Sequence, residues 1–257
     1  MNEARIVTAL GLLAAFAACD DDHAEGGVPW GGRTQVVAPS GSSTGWEASP
    51  ACVLEAGTCE EERAACAGGV DIVVDREGKR LDSLCYPDAP TWTVEDLAAH
   101  DGNIEQRENN TVLVLDDADD GADVTGDVTI DANNVVLYGE SAARAVLDGS
   151  LTVDGNHTLV RGIRITGDVS VLANNVTLAF CVIEGALTVR GNNVRLLGCD
   201  VLGSVTIPGN NARLYGNGVA GVLDVGKSAA CVDNHRVVDG DADGVITTDE
   251  RGAALDC

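Results

Sequence analysis

Aromatic side chains are scarce in this chain: 3% of its 257 residues, with two Phe, three Tyr and three Trp, beside a single Met. A compact core normally takes much of its bulk from rings. Val, Leu and Ile must fill the interior here, in many thin and similar layers, which favours a repeat over one large globular core. Basic residues are also few: 16 Lys and Arg stand against 41 Asp and Glu, a net charge of −25. That balance excludes electrostatic capture of nucleic acid and of anionic headgroups. It attracts divalent cations, and it also serves plain solubility. Long apolar runs are missing apart from residues 6–18, whose 13 residues are too few to span a bilayer as a helix. Glycine, by contrast, is plentiful at 31 residues.

Residues 1–18 read as a signal peptide: a polar start with Arg5, then the apolar run. That run ends Phe16-Ala17-Ala18-Cys19 and is followed by Asp20, Asp21 and Asp22. The segment resembles a bacterial lipoprotein lipobox, which implies that Cys19 is lipidated and becomes the new N-terminus. Phe16 departs from the family's usual Leu, and Glu3 departs from a basic start. The alternative is cleavage near Ala17, leaving Cys19 a free thiol. Export permits disulfides. Nine cysteines less Cys19 leave eight, an even number that suits pairing. Residues 19–50, rich in Gly, Ser and Pro without hydrophobic periodicity, read as a flexible tether.

Residues 51–90 hold Cys52, Cys59, Cys66 and Cys85. The first three are spaced by seven, so a helix would place them on one face. Residues 70–75 read as a strand, 76–79 as a turn and 80–85 as a returning strand. A small disulfide-stapled module results, with connectivity open. Zinc is the alternative, although no Cys-x-x-Cys pair is present. Residues 91–108 are expected to cap the N-terminal end of a β-helix. Within them a short helix spans 93–99, with Thr93 as its N-cap and Asp96 three residues on.

From about residue 109 the chain is periodic. Asn-Asn or Asn-His pairs begin at Asn133, Asn156, Asn174, Asn192 and Asn210, in steps of 23, 18, 18 and 18. Asn109-Asn110 gives a degenerate earlier coil. Short alternating strands flank each pair. A fixed period of this kind means a solenoid, here of about six coils over residues 109–226. Val169 and Val171 point inward in one coil, as do Val176 and Leu178. Gly126, Gly149, Gly167, Gly185, Gly203 and Gly221 recur just before the first strand, at a corner where glycine permits positive φ. The paired Asn residues mark a second corner and can ladder up the coils, with His157 as a substitute rung. Cys181 and Cys199 stack one coil apart on an inward column continued by Asn217, as buried thiols or, alternatively, as a disulfide.

These coils resemble right-handed parallel β-helices of the pectate-lyase type. Their short period with recurrent Gly is also similar to that of the bactofilins, which polymerise end to end. The expected fold is therefore all-β, a single-stranded right-handed parallel β-helix. The carboxylate clusters of the pectinases find no match: Arg190, Arg195, Arg213 and Asp200 scatter over different strands. A sugar-binding face should carry stacking rings, and the outward columns offer only Tyr138 and Tyr215. One outward column reads Thr129, Thr152, Ser170, Thr188 and Thr206, as expected of strand-favouring residues. The acidic run 116–123 reads as a solvated insertion.

Residues 227–257 carry the most specific motif. From Asp239 to Glu250, the sequence fits the twelve-residue EF-hand loop: Asp239, Asp241 and Asp243 at positions 1, 3 and 5, Gly244 at the sharp turn, Val245 offering its carbonyl, Thr247 at position 9 and Glu250 at position 12. Calcium is the cation that uses this many hard oxygens. A helix of two turns is expected over 248–255. The loop resembles a dockerin half-repeat more than a sensor pair. Cys231 and Cys257 bracket it and are expected to join, making the segment a C-terminal cap.

No catalytic constellation emerges. The expected protein is a calcium-binding lipoprotein of the bacterial cell envelope, anchored to a membrane by lipid, with a structural or binding role. A cell-surface polysaccharide or an envelope protein is the candidate partner, and nucleic acid is not. A pectate-lyase-type enzyme and a bactofilin-like scaffold are the alternatives.

Overall fold

The computed structural model describes residues 91–115, 124–139, 142, 145–240, 246 and 250–257, together with the backbone of the strands Thr34–Pro39, Trp46–Ala48, Val70–Val74 and Arg80–Cys85. The chain folds as an all-β solenoid of parallel stacked coils. Three-residue strands with apolar first and third residues cannot bury themselves singly. Stacked in register, they form three parallel sheets around one thin interior.

The first sheet, face A, runs from Thr91–Trp92 through Val112–Leu115, Val136–Gly139, Leu159–Arg161, Thr177–Ala179, Arg195–Leu197 and Arg213–Tyr215 to Ala230–Val232. Face B begins at Val124–Thr125 and continues through Val146–Asp148, Arg164–Ile165, Val182–Ile183, Asp200–Val201 and Gly218–Val219 to Asn234–Val237. Face C carries Asn103–Ile104, Val128–Ile130, Leu151–Val153, Val169–Val171, Leu187–Val189, Val205–Ile207 and Leu223–Val225. From Val128 to Leu223 the successive starts on face C are separated by 23 and then four times by 18 residues, which makes about five turns.

The interior is aliphatic. Ile130, Leu151, Val153, Val171, Leu178, Ile183, Leu187, Leu196 and Val205 are fully buried. Each coil adds one thin layer to the last, so a chain poor in rings still buries a continuous core. Face A departs from simple alternation. Its outward residues Val112, Val136, Tyr138, Leu159, Ala179, Leu197 and Tyr215 form a second buried cluster. Tyr138 and Tyr215, expected on an open surface, are only 5% and 9% exposed. The strands of this face are apolar on both sides, as in Val136-Leu137-Tyr138, and that is the sequence signature of a doubly covered sheet.

The recurrent glycines have a different cause from the one expected. Positive φ falls at the opposite corner, between faces A and B, at Gly162, Gly198 and Gly216 with φ of 66°, 60° and 68°. Phe180 adopts the same geometry at 56°. Between faces B and C, only Gly126 has positive φ among the six. The others are small because the coils touch there: a Cβ on Gly167 would lie 2.7 Å from the Gly149 carbonyl oxygen, and one on Gly221 2.6 Å from that of Gly203.

The helix Val94–Ala99 is fixed by a capping box. The Thr93 hydroxyl accepts from the Asp96 N–H, while the Asp96 carboxylate accepts from the Thr93 N–H at 2.9 Å. It buries Leu97 to 1% exposure against the first layers of the interior.

Ahead of it, the strands 34–85 form a four-stranded sheet in the order Trp46–Ala48, Thr34–Pro39, Val70–Val74, Arg80–Cys85. Two of these strands fall within residues 19–50, where periodicity is too short to register. They gain their order by pairing with Val70–Val74 and with each other. Cys19, Cys52, Cys59 and Cys66 lie outside the described residues, and Cys85 closes the last strand.

Candidate functional site

Two regions of the solenoid concentrate its polar chemistry. The first is the Asn-Asn corner between faces C and A. Here the second residue of each pair is left-handed: Asn110, Asn134, His157, Asn175, Asn193 and Asn211 have φ between 56° and 63°, a conformation Asn tolerates because its side chain bonds locally. The first residue of each pair builds the ladder. Asn156 Oδ1 accepts from the Asn174 N–H at 3.1 Å, Asn174 Oδ1 from Asn192 at 2.9 Å, and Asn192 Oδ1 from Asn210 at 3.0 Å. Bend donors that no strand pairs are thus satisfied one coil at a time.

A second ladder, inside the core, was only partly legible. Cys181, Cys199, Asn217 and Asn234 occupy one buried column. Cys199 N–H donates to Asn217 Oδ1 at 2.9 Å and Asn217 N–H to Asn234 Oδ1 at 3.1 Å, while Cys181 N–H approaches the Cys199 sulfur at 3.4 Å. Asn217 and Asn234 complete their needs on the Leu196 and Leu214 carbonyls. Sulfur and carboxamide oxygen play the same acceptor role. Both thiols are free, and burial pushes that of Cys199 well above its ordinary value.

The second polar region is the C-terminal end. Residues 251–255, expected as helix, form the strand Arg251–Leu255, which pairs antiparallel with Asn234–Val237 at the end of face B. Pairing with an open sheet edge supplies backbone partners that a short isolated helix lacks, and Cys257 bridges to Cys231 with Cα atoms 5.9 Å apart. Arg251 Nη2 reaches both oxygens of Asp200 at 3.0 Å. Gly218, in register between Asp200 and His235, leaves the room for that reach. Burial pushes the Asp200 carboxyl up to about 6, with Arg251 pulling the other way. Arg236 Nη1 donates to the carbonyls of Ala220 and Gly221.

Of the expected calcium ligands, Asp239 and Glu250 are described, and Asp241, Asp243, Val245 and Thr247 lie outside the described residues. The structure brings the two ends of the loop together. Gly240 N–H donates to Glu250 Oε1 at 2.7 Å, and Val238 N–H to the Glu250 carbonyl at 3.0 Å. Positions 1 and 12 of an EF-hand loop must converge in this way to share one ion, and the donor set is all oxygen. No group of three or more His, Cys, Asp or Glu gathers as a metal site among the described residues, and no helix among them is long and apolar enough to cross a membrane.

Arg195 and Arg213, scattered in the sequence, are in-register neighbours on face A. Asp200 is on face B, held by Arg251, and Arg190 stands at the end of face C. Comparison with known proteins finds no matching family model, no matching curated protein and no matching solved structure.

Proposed function

We propose that this chain is a calcium-binding lipoprotein of the bacterial cell envelope, with a structural or binding role rather than a catalytic one. The observation that carries the reading is the meeting of the two ends of the loop, where the Gly240 N–H, next in the chain to Asp239, donates to Glu250 Oε1. Asp239, Asp241 and Asp243, the Val245 carbonyl, Thr247 through a water and bidentate Glu250 would hold the ion. Calcium would then fix the segment that the Cys231–Cys257 bridge and the Asp200 contact already tie to the solenoid. The lipobox-like segment ending at Cys19 supports a lipid anchor, and envelope polymers or proteins are the partners within its reach. A pectate-lyase-type activity draws no support, since the acid it would recruit, Asp200, is engaged by Arg251.

The test is calcium titration of the purified chain with unfolding monitored. Stabilisation should approach about 2.7 kcal/mol at a hundredfold excess over the dissociation constant, and should vanish in Asp239→Ala and in Glu250→Ala. An unfolding midpoint indifferent to calcium would refute the reading.

A further inference from the structure

The outward side of face A is buried, although every side chain in its cluster comes from face A itself or from the corner beside it. Ala179 and Leu197 point away from the interior and are still fully enclosed. Arg161 is buried on the same side, with its guanidinium over the rings of Tyr138 at 5.0 Å and Phe180 at 5.6 Å. A sheet cannot hide its outer residues by itself, so a second layer has to lie over them. Tyr138, Arg161, Phe180, Arg195, Gly198 and Arg213 each have an interaction partner beyond the contacts described above. All six belong to face A or to its corner with face B.

The cover has to meet three requirements. It must be apolar, to enclose Leu197 and Tyr215. It must be acidic, because the buried Arg161 needs an anionic partner and Arg195 and Arg213 add two more positive charges. It must also run from the strand of Val112 to that of Tyr215, five strand spacings or about 24 Å. About 16 residues of helix, or about eight of extended chain, cover that height.

We infer that residues 49–69, the cysteine-rich segment between Trp46–Ala48 and Val70–Val74, dock on the outward side of face A and complete its buried cluster. The segment has 21 residues, enough for the height of the face. Val53, Leu54 and five alanines supply apolar cover, and four acidic residues (Glu55, Glu60, Glu61 and Glu62) stand against Arg63 alone. Both ends are tied into the four-stranded sheet. From that sheet the chain enters face A after only five residues, between Cys85 and Thr91. The acidic run 116–123 is a poorer fit: it lacks large apolar side chains and leaves the face at Leu115, four strand spacings or about 19 Å from the strand of Arg195. Docking withdraws face A from external partners and leaves faces B and C as the surfaces an envelope partner can reach. The inference stands independently of the calcium loop.

The experiment places a specific protease site within residues 86–90 of the full chain and cuts it after folding. Five cysteines precede the cut. Of the four beyond it, Cys231 pairs with Cys257 while Cys181 and Cys199 are free, so no disulfide joins the fragments. Co-elution of the two fragments in gel filtration at low salt is expected. Glu60→Gln, Glu61→Gln and Glu62→Gln together should raise their dissociation constant at least tenfold, with amide exchange of Val70–Val74 equal to the parent's as the check on folding. Leu197→Glu sets a repelling charge on the solenoid's side of the contact and should release the fragment as well, which decides the matter if the glutamine variant unfolds. Asp20→Asn, Asp21→Asn and Asp22→Asn together, in the rival acidic segment, should change nothing. Separation of the parent fragments on cutting, full retention in the folded glutamine variant or in Leu197→Glu, or release by the asparagine variant overturns the inference.

Discussion

Arg251 and Asp200 lie 51 residues apart in the chain, yet one guanidinium nitrogen stands 3.0 Å from both carboxylate oxygens. The pair is largely out of water, with side chains 11% and 13% exposed. It ties the C-terminal strand to a coil two rungs below the strand's own pairing partner. Removing one member of a buried pair leaves the other charge without compensation. Arg251→Ala should therefore destabilise the chain by about 3 kcal/mol, read as a lower urea midpoint. The expected loss is smaller for Asp200→Asn, which leaves an uncharged partner that still accepts a hydrogen bond.

The same pair predicts a pH dependence. The Asp200 carboxyl titrates near 3.8 when unfolded and is raised to about 6 by burial in the folded chain. The folded state therefore holds this proton more tightly. Its stabilising contribution is fully present below the unfolded value and is lost as pH rises through about 6. Asp200→Asn removes that term. Urea unfolding of both proteins at intervals across this window should show the variant gaining on the parent as pH rises. A difference that stays constant with pH would contradict the assignment.

The close coil contact at the corner between faces B and C makes another prediction. A methyl group on Gly167 would press on the Gly149 carbonyl oxygen at 2.7 Å, with the Ser150 hydroxyl equally near. The Gly149 backbone of the preceding coil cannot yield without shifting that coil. Gly167→Ala should cost about 1–3 kcal/mol. At Gly126 nothing lies within 4 Å of the added carbon, but φ is +110°. Gly126→Ala should therefore be destabilising through conformation rather than contact. Thermal unfolding of the two variants, together with coil spacing measured by diffraction, separates the causes: only Gly167→Ala should displace a coil.

The period of the Asn pairs was enough to read the solenoid, because a corner donor every 18 residues has to be met by the neighbouring coil. The inward sets, such as Val169 and Val171, followed from alternation. Three things were hidden for physical reasons. Outward burial on face A depends on what lies over it, so Tyr138 and Tyr215 looked like surface residues. The glycine column answers to distance between coils, which a single coil's sequence does not display. The strand Arg251–Leu255 is set by an available sheet edge and by the Cys231–Cys257 bridge, neither of which enters a local helix preference. The convergence of Arg195 with Arg213 required the register, which places residues one coil apart side by side. The meeting of Gly240 and Glu250 at the ends of the loop agrees with a spacing that is local in the chain, and the proposed calcium site rests on that spacing.

Two ties at the C-terminal end are adjacent in the chain: Glu250, the last position of the proposed calcium loop, is followed at once by Arg251, which grips Asp200. Amide hydrogen exchange of Arg251–Leu255, measured with calcium and with a chelator, reads the consequence directly. Slow exchange in the presence of calcium, becoming at least tenfold faster in the chelator while Leu187–Val189 is unchanged, is the predicted result. Equal exchange of the end strand in both conditions would contradict a calcium-held cap.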